Sequence, residues 1–451
     1  MKRTIFSLAL LLICGQLLLA QESSSIALSV KECMQMAVEK NINVKTARID
    51  KEKSGYKKEE ARAAFLPKLN FSGSFQDNLI LPTTVLPGEF LSKPGTTIAV
   101  QMGSQYNTTA GLSISQVLYN QTAMIAVKLS QRSSELSSLT VEKASEEIAA
   151  EVGKLYFLTL TTSEQQKLID ENIARTERLR DITKITLDNG VGKQVDLDRV
   201  SVNLENLYTQ QSNTQATFEQ QINMIKYLLD IPLEQTIVLT DKADMLLLSY
   251  EPTMISDFSN HVDIQLLESQ QQLNMLNQKL IKAGYSPSLS MSGNVAFLGL
   301  RNEFDTYFKS GDQNKFYPNS SLGLSLTMPL FDGFEKRSKS RQAKMDYQKT
   351  QLTLESTKER FSMNYKNAMN NYQNNKSNVR RQQQNLELAV KVYEESTLKY
   401  REGLAAMSNL LQDEISLSSA QSGYLTAIYN FKDAELKIMS LNGDIKNLIN
   451  K

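Results

Sequence analysis

Residues that break helices are scarce in this chain. Its 451 residues include 9 prolines and 19 glycines, too few for a turn-rich architecture and favourable to long uninterrupted helices. Tryptophan is absent, and cysteine occurs only at Cys14 and Cys33. Cys14 lies inside an apolar leader, so a processed chain keeps one cysteine and forms neither an internal disulfide nor a cysteine metal cluster. The single histidine, His261, excludes HExxH and other paired-histidine zinc sites, and no GxSxG accompanies it to suggest a hydrolase triad. An excess of one charge is missing too. Fifty Lys+Arg against 49 Asp+Glu gives +1, and without Lys2 and Arg3 the balance is 48 against 49, or −1. Such a chain has no basic field with which to hold nucleic acid. Gly190-Val191-Gly192-Lys193 is not a P-loop, because Leu187 and Gln194 stand where Gly and Ser or Thr are needed. No catalytic, cofactor-binding or metal-ligating set is expected, and the chain does not read as an enzyme.

The first 20 residues read as a secretory signal: basic Lys2 and Arg3, an apolar run from Ile5 to Ile13, then Leu17-Leu18-Leu19-Ala20 before Gln21. Beyond them no stretch of 18 apolar residues occurs, so an exported chain without a membrane helix is expected.

Gln121 to Asp188 and Glu335 to Glu402 are each 68 residues without proline, and Gly153 is their only glycine. Each would measure about 100 Å as a helix. Leu197, Val200, Leu204, Leu207 and onward to Leu228 alternate threes and fours, as do Val379, Gln383, Leu386, Val390, Tyr393, Thr397 and Tyr400. The same holds for Leu417, Ala420, Tyr424, Ala427, Phe431, Ala434, Ile438 and Leu441. That spacing is a coiled-coil seam.

Period-2 alternation marks four short stretches, near 69–77, 110–118, 288–298 and 321–330. Leu69, Phe71, Gly73 and Phe75 alternate with Asn70, Ser72, Ser74 and Gln76, and Leu322, Leu324, Leu326, Met328 and Leu330 with Gly323, Ser325, Thr327 and Pro329. One face is apolar and the other uncharged polar, as in a membrane β-strand. Pro- and Gly-bearing stretches at 78–108 and 301–320 separate the members of each pair and read as loops on the extracellular side. The chain also repeats itself. ARAAFLPKLNFSGS (61–74) aligns with IKAGYSPSLSMSGN (281–294), and DNGVGKQVDL (188–197) with REGLAAMSNL (401–410), an offset of 213 that runs on to Leu228/Leu441. The expected organisation is a signal (1–20), a first repeat (21–230), a joining segment (231–254) and a second repeat (255–451). His261 aligns with Asn41 at a helix start, which suits a capping role. Four strands cannot close a membrane barrel, whose smallest single-chain form has eight, so several copies must pool theirs.

LSVKECMQMAVEKNINV (28–44), ARAAFLPKLNFSGSF (61–75), SLTMPLFDGFEKRSKSRQA (325–343) and YREGLAAMSNLLQDEISL (400–417) follow one another along the duplicated chain. In these stretches, their order and the duplication, the sequence resembles the TolC family of outer-membrane efflux and secretion channels. The resemblance implies a mostly α fold with a small β part: a long coiled-coil helical barrel plus four membrane strands per chain, closed as a twelve-stranded barrel by a homotrimer in outer-membrane lipid. It implies a channel of a tripartite efflux or type I secretion system, with a periplasmic adaptor (membrane fusion protein) and an inner-membrane RND or ABC pump as partners. It implies no cofactor. Adaptor contact is implied at the helix tips, here Asn189, Gly190, Val191, Glu402, Gly403 and Leu404. Well-known members carry two gate aspartates six and nine residues past the second tip glycine. Counting from Gly403 gives Asn409 and Gln412, with Asp413 adjacent. Asn409, Gln412 and Asp413 are therefore the candidate periplasmic gate, and the competing reading makes Asp196, Asp198 and Asp413 early-turn acids that complement a helix dipole. A coiled-coil scaffold without a pore is the alternative function; it leaves the matched strand pairs unexplained.

Overall fold

The computed structural model describes residues 26–87, 94–241, 250–252, 257–309, 311 and 314–450. The expected signal, 1–20, lies outside the described residues, as do 242–249 and 253–254 of the expected joining segment. Four long helices carry nearly half of the chain: α3 (Gln121–Asp188, 68 residues), α4 (Gln194–Leu228), α6 (Glu335–Arg401, 67 residues) and α7 (Met407–Asn442). Shorter helices are α1 (Val30–Lys40), α2 (Ile42–Ala63), α5 (Val262–Ala283) and α8 (Ile445–Asn450). Among the described residues, no helix is long and apolar enough to cross a membrane.

The chain divides into two compact units, each drawing on both repeats. Of the described residues, one unit takes those within 26–51, 137–268 and 352–450, and the other those within 52–136 and 269–351. The second unit holds a four-stranded antiparallel sheet in the order β2 (Lys68–Asp77), β5 (Tyr106–Asn120), β7 (Ser288–Arg301), β8 (Phe316–Thr327). The register pairs Phe71 with Leu112, Leu112 with Val295, and Leu289 with Leu326, so the apolar set of every strand shares one face. Asn70, Ser113 and Asn294 pair across the other face, with Ser321 beyond them. β8 starts five residues before the expected 321 and ends at Thr327, ahead of Pro329, which has no N–H to give a ladder. The β2–β5 connection, expected as open loop over 78–108, holds a second hairpin, β3 (Thr83–Pro87) with β4 (Thr97–Gln101). The β7–β8 connection holds a 3-10 turn, Phe304–Phe308.

The first unit is built on helices whose apolar seams meet. Val152, Tyr156, Ile225, Ile264, Phe431 and Ile438 belong to one buried cluster. Two three-residue strands, β1 (Ile26–Leu28) and β6 (Ile237–Leu239), pair in parallel beside it; β6 lies within the segment expected to join the repeats. The buried Tyr156 hydroxyl donates to Leu28 O (3.1 Å) and accepts from Asp241 N (3.3 Å), pinning both strands to α3. Gly153, the only glycine in α3, is explained by packing. A Cβ there would come within 2.1 Å of the Met34 methyl, so the glycine lets α1 press onto α3. Cys33 is buried, and burial pushes its thiol up to about 12, which leaves it an inert core side chain. His261 Nδ1 accepts from Asp263 N (3.2 Å), just as Asn41 Oδ1 accepts from Asn43 N (2.9 Å) in the first repeat. The two aligned residues start their helices with the same bond.

Candidate functional site

Two Gly turns join the long helices, and they are built alike. Gly190 (φ 77°) and Gly403 (φ 71°) adopt the left-handed conformation that glycine enters without a Cβ penalty. Gly190 N donates to Leu187 O (2.8 Å) and Val191 N to Thr186 O (3.2 Å); Gly403 N donates to Tyr400 O (3.0 Å) and Leu404 N to Lys399 O (2.8 Å). This paired pattern is the Schellman motif, which satisfies the last carbonyls of a helix. An apolar residue usually folds back onto the helix at the position after the glycine. Here Val191 and Leu404 remain 79% and 74% exposed. Asn189 and Glu402 are exposed beside them, so each of the six expected tip residues is on the surface.

The expected gate residues do not share one environment. Asn409 and Gln412, three residues apart in α7, fall on one exposed stripe. Asp413 is half-buried and accepts a hydrogen bond from the Ser396 hydroxyl of α6, which ties α7 to its own hairpin partner. Its position past the first turn of α7 also removes it from the early-turn acids. In α4, Asp196 does lie in the first turn, 3.6 Å from Arg199, and Asp198 accepts from Gln194 Nε2 (2.8 Å).

The residue that sequence reasoning passed over is Glu414. Only 4% exposed, it accepts from the Thr176 hydroxyl of α3 (2.6 Å) and from Asn203 Nδ2 of α4 (3.1 Å). Burial holds its carboxyl above the usual glutamate range, while the Thr176 hydrogen bond and the Arg175 charge pull it back. The layer continues through Asn172, which accepts from Arg175 and donates to Gln421 Oε1 (3.3 Å), and through the Tyr393 ring, 5.8 Å from the Arg175 guanidinium. A cavity of about 200 Å³ adjoins it, lined by Asn172, Asn203, Asn206, Gln210, Glu414 and Ser418 among others. The signal was present in the sequence: carrying the α7 seam back from Leu417 by threes and fours lands on Glu414, then Leu410 and Met407, all buried. A larger groove of about 620 Å³ follows α3, α4 and α7 with a mainly Thr, Gln, Asn and Ser lining, including Thr161, Gln165, Asn213 and Ser422. Its lining carries no charged side chain. Among the described residues, no group of His, Cys, Asp and Glu is arranged to hold a metal ion.

The chain thus combines a sheet apolar on one face and polar on the other with two long helical hairpins. The model of the family described as outer membrane efflux protein matches residues 33–229 and 259–444. The chain belongs to that family. It is similar to outer membrane protein TolC of Vibrio cholerae serotype O1, 18% identical over 353 residues, which cover 75% of this chain and 80% of the relative. Among solved structures it is similar to VceC, an outer membrane protein of Vibrio cholerae. Identity there is 14% and the TM-score 0.71, with 91% of this chain and 95% of that one covered. It is also similar to the Neisseria gonorrhoeae MtrE outer membrane channel in its open state. There identity is 18% and the TM-score 0.70, over 92% and 88% of the two chains. Members of the outer membrane efflux protein family are outer-membrane channels, and this chain is one, with its long helical part in the periplasm. Family and fold are those of transport proteins rather than enzymes.

Proposed function

We propose that three copies of this chain form one export channel. Each copy contributes four strands to a twelve-stranded barrel, and cargo arrives from an inner-membrane RND or ABC pump through a periplasmic adaptor. The observation that carries this reading is the four-stranded sheet. Its apolar face is exposed, with Leu322, Leu324 and Leu326 each more than two-thirds accessible. Within the described chain, its edge strands β2 and β8 each pair on one side only. Unpaired backbone in hydrocarbon costs several kcal/mol per group, so the edges require strands from other copies.

We infer that Asn409 and Gln412 from the three copies narrow the periplasmic entrance with uncharged amides, which hold no cation strongly. The exposed Val191 and Leu404 supply matched apolar contacts for the adaptor, one on each tip. Heat-modifiable trimers in outer-membrane fractions and single-channel recordings in planar bilayers test both parts. Replacing Asn409 and Gln412 by Ala should raise conductance. A conductance unchanged by that pair but raised by Asp413→Ala would move the gate to Asp413. A chain that stays monomeric in the membrane would sink the channel reading.

A further inference from the structure

The connection between β7 and β8 does not lie over the lumen side of the sheet. Phe304 packs on Phe75 (ring centroids 6.0 Å) and Tyr106 (5.6 Å), and Tyr307 packs on Phe75 (6.1 Å). The Tyr307 hydroxyl is 2.7 Å from that of Thr108. The register decides which face this is. Phe75 pairs with Thr108, and Tyr106 with Arg301, two-residue steps along the strands from Phe71, Leu112 and Phe297. Period 2 puts them all on the apolar face. Arg301 ends that face. It is 4% exposed, with its guanidinium 5.2 Å from the Tyr307 ring and 5.4 Å from the Phe316 ring, and it donates to Asn314 Oδ1 (2.9 Å). Asn314 in turn donates to Tyr307 O (3.1 Å), so the connection is strapped down at both ends.

Height matters next. Leu289 to Gly299 of β7 rises roughly 25 Å at about 3.3 Å per residue and a tilt of about 40°, the full height of a barrel's apolar band. Arg301 and the folded-back turn therefore sit where hydrocarbon gives way to headgroups. Phe304 and Phe308 remain 51% and 81% exposed there. The β2–β5 connection differs: its strands β3 and β4 pair with each other.

We propose that the Phe304–Phe308 turn is an interfacial anchor, whose partner is the headgroup boundary of the outer leaflet. Phe304 caps the apolar face and Phe308 enters the boundary layer. The proposal rests on the membrane reading of the sheet. Its consequence is that the second connection of each copy turns outward onto lipid instead of inward over the pore.

The absence of native tryptophan makes a clean test. Phe308→Trp and, separately, Leu324→Trp are introduced into the full-length chain, reconstituted in phosphatidylcholine vesicles whose lipids are brominated either near the headgroup or near the chain end. Phe308→Trp should lose most emission to headgroup-proximal bromine and little to aqueous acrylamide; Leu324→Trp should lose most to chain-end bromine. Acrylamide quenching of Phe308→Trp with Leu324→Trp still quenched by lipid overturns the anchor alone, and so does chain-end quenching at position 308. Loss of lipid quenching at Leu324→Trp overturns the membrane reading and the anchor with it. Arg301→Met, which removes the strap, should shift the Phe308→Trp emission toward the acrylamide-accessible form; no shift would overturn the role given to Arg301.

Discussion

The two repeats meet the same packing problem with opposite chemistry. At the offset that aligns the tips, Val200-Ser201 of α4 corresponds to Asp413-Glu414 of α7. Val200 is fully buried in an aliphatic cluster with Leu179, Met407 and Leu410. The Ser201 hydroxyl is satisfied within its own helix by Leu197 O (2.8 Å). In α7 the pair is acidic: Asp413 bonds Ser396, and Glu414 is enclosed by Thr176, Asn203 and the Arg175 charge. Burying an ionised carboxylate costs several kcal/mol, which its partners only partly return. One backbone plan therefore places hydrocarbon at this level of α4 and a polar layer at the matching level of α7. The polar seam is the cheaper one to part, and it lies directly above Asn409 and Gln412.

The largest effect is expected from giving the first seam the chemistry of the second. Val200→Glu puts an unpartnered carboxylate among Leu179, Met407 and Leu410, at a cost of about 3–5 kcal/mol by analogy with stranded buried charges. Urea unfolding of the detergent-solubilised protein, read by far-UV circular dichroism, measures it. If Val200→Glu unfolds at the wild-type midpoint, the two seams are interchangeable and the comparison fails.

The reverse exchange should be smaller. Glu414→Met removes the desolvated carboxylate and keeps its volume, but it leaves Thr176, Asn203 and Arg175 without their partner, so stability should stay within about 1 kcal/mol of wild type. It should slow amide exchange over 407–421 and reduce channel openings in bilayer recordings. More frequent openings would mean that Glu414 holds the seam shut.

Acidity sharpens the same contrast. Burial raises the Glu414 carboxyl in the folded chain above its unfolded value, so the native state binds that proton more tightly. The resulting stability is present below the ordinary glutamate value and is lost as pH rises through the folded value. Amide exchange over 407–421 should quicken with rising pH beyond the intrinsic chemical rate, while 194–208 in α4 should not. Glu414→Gln should abolish the difference. Glu146 of α3 is a second reporter: burial, reinforced by Glu142 and Asp263 and opposed by Lys446, lifts it to about 7. Its own window runs from the ordinary glutamate value to about pH 7, and Glu146→Gln should flatten exchange around 142–150 without touching 407–421.

Much of this architecture was legible in the sequence, for physical reasons. Helix length follows from the absence of Pro and the near-absence of Gly, so the bounds Gln121–Asp188 emerge directly. The strand faces follow from period 2, which a register slip of one residue would have reversed. Gly190 and Gly403 are required by the left-handed turns they make. The parts that stayed hidden depend on the third dimension. The parallel pairing of β1 with β6 joins segments about two hundred residues apart, and neither three-residue strand shows a period. The outward fold of the 304–308 turn depends on cross-strand neighbours of Phe75 and Tyr106. Glu414 is hidden differently: it stands on the seam, whereas the count from the tip glycine falls on Asn409 and Gln412.

The smallest effect belongs to the tips themselves. Asp196 stands in the first turn of α4, where the free N–H groups and the helix dipole favour a negative charge, and it faces Arg199 at 3.6 Å. The α7 first turn has no acid, so Asp196→Asn removes the charge that sets the first turn of α4 apart from that of α7. The loss should be about 0.3–1 kcal/mol at low ionic strength, because dipole and surface-pair terms are screened by salt. Amide exchange at 194–198, compared at low and high salt, reads it: faster exchange in Asp196→Asn at low salt, converging with wild type at high salt. A difference that survives high salt would mean that Asp196 acts through a packed contact and not through charge. The first tip would then be held by more than its Schellman turn, unlike the second.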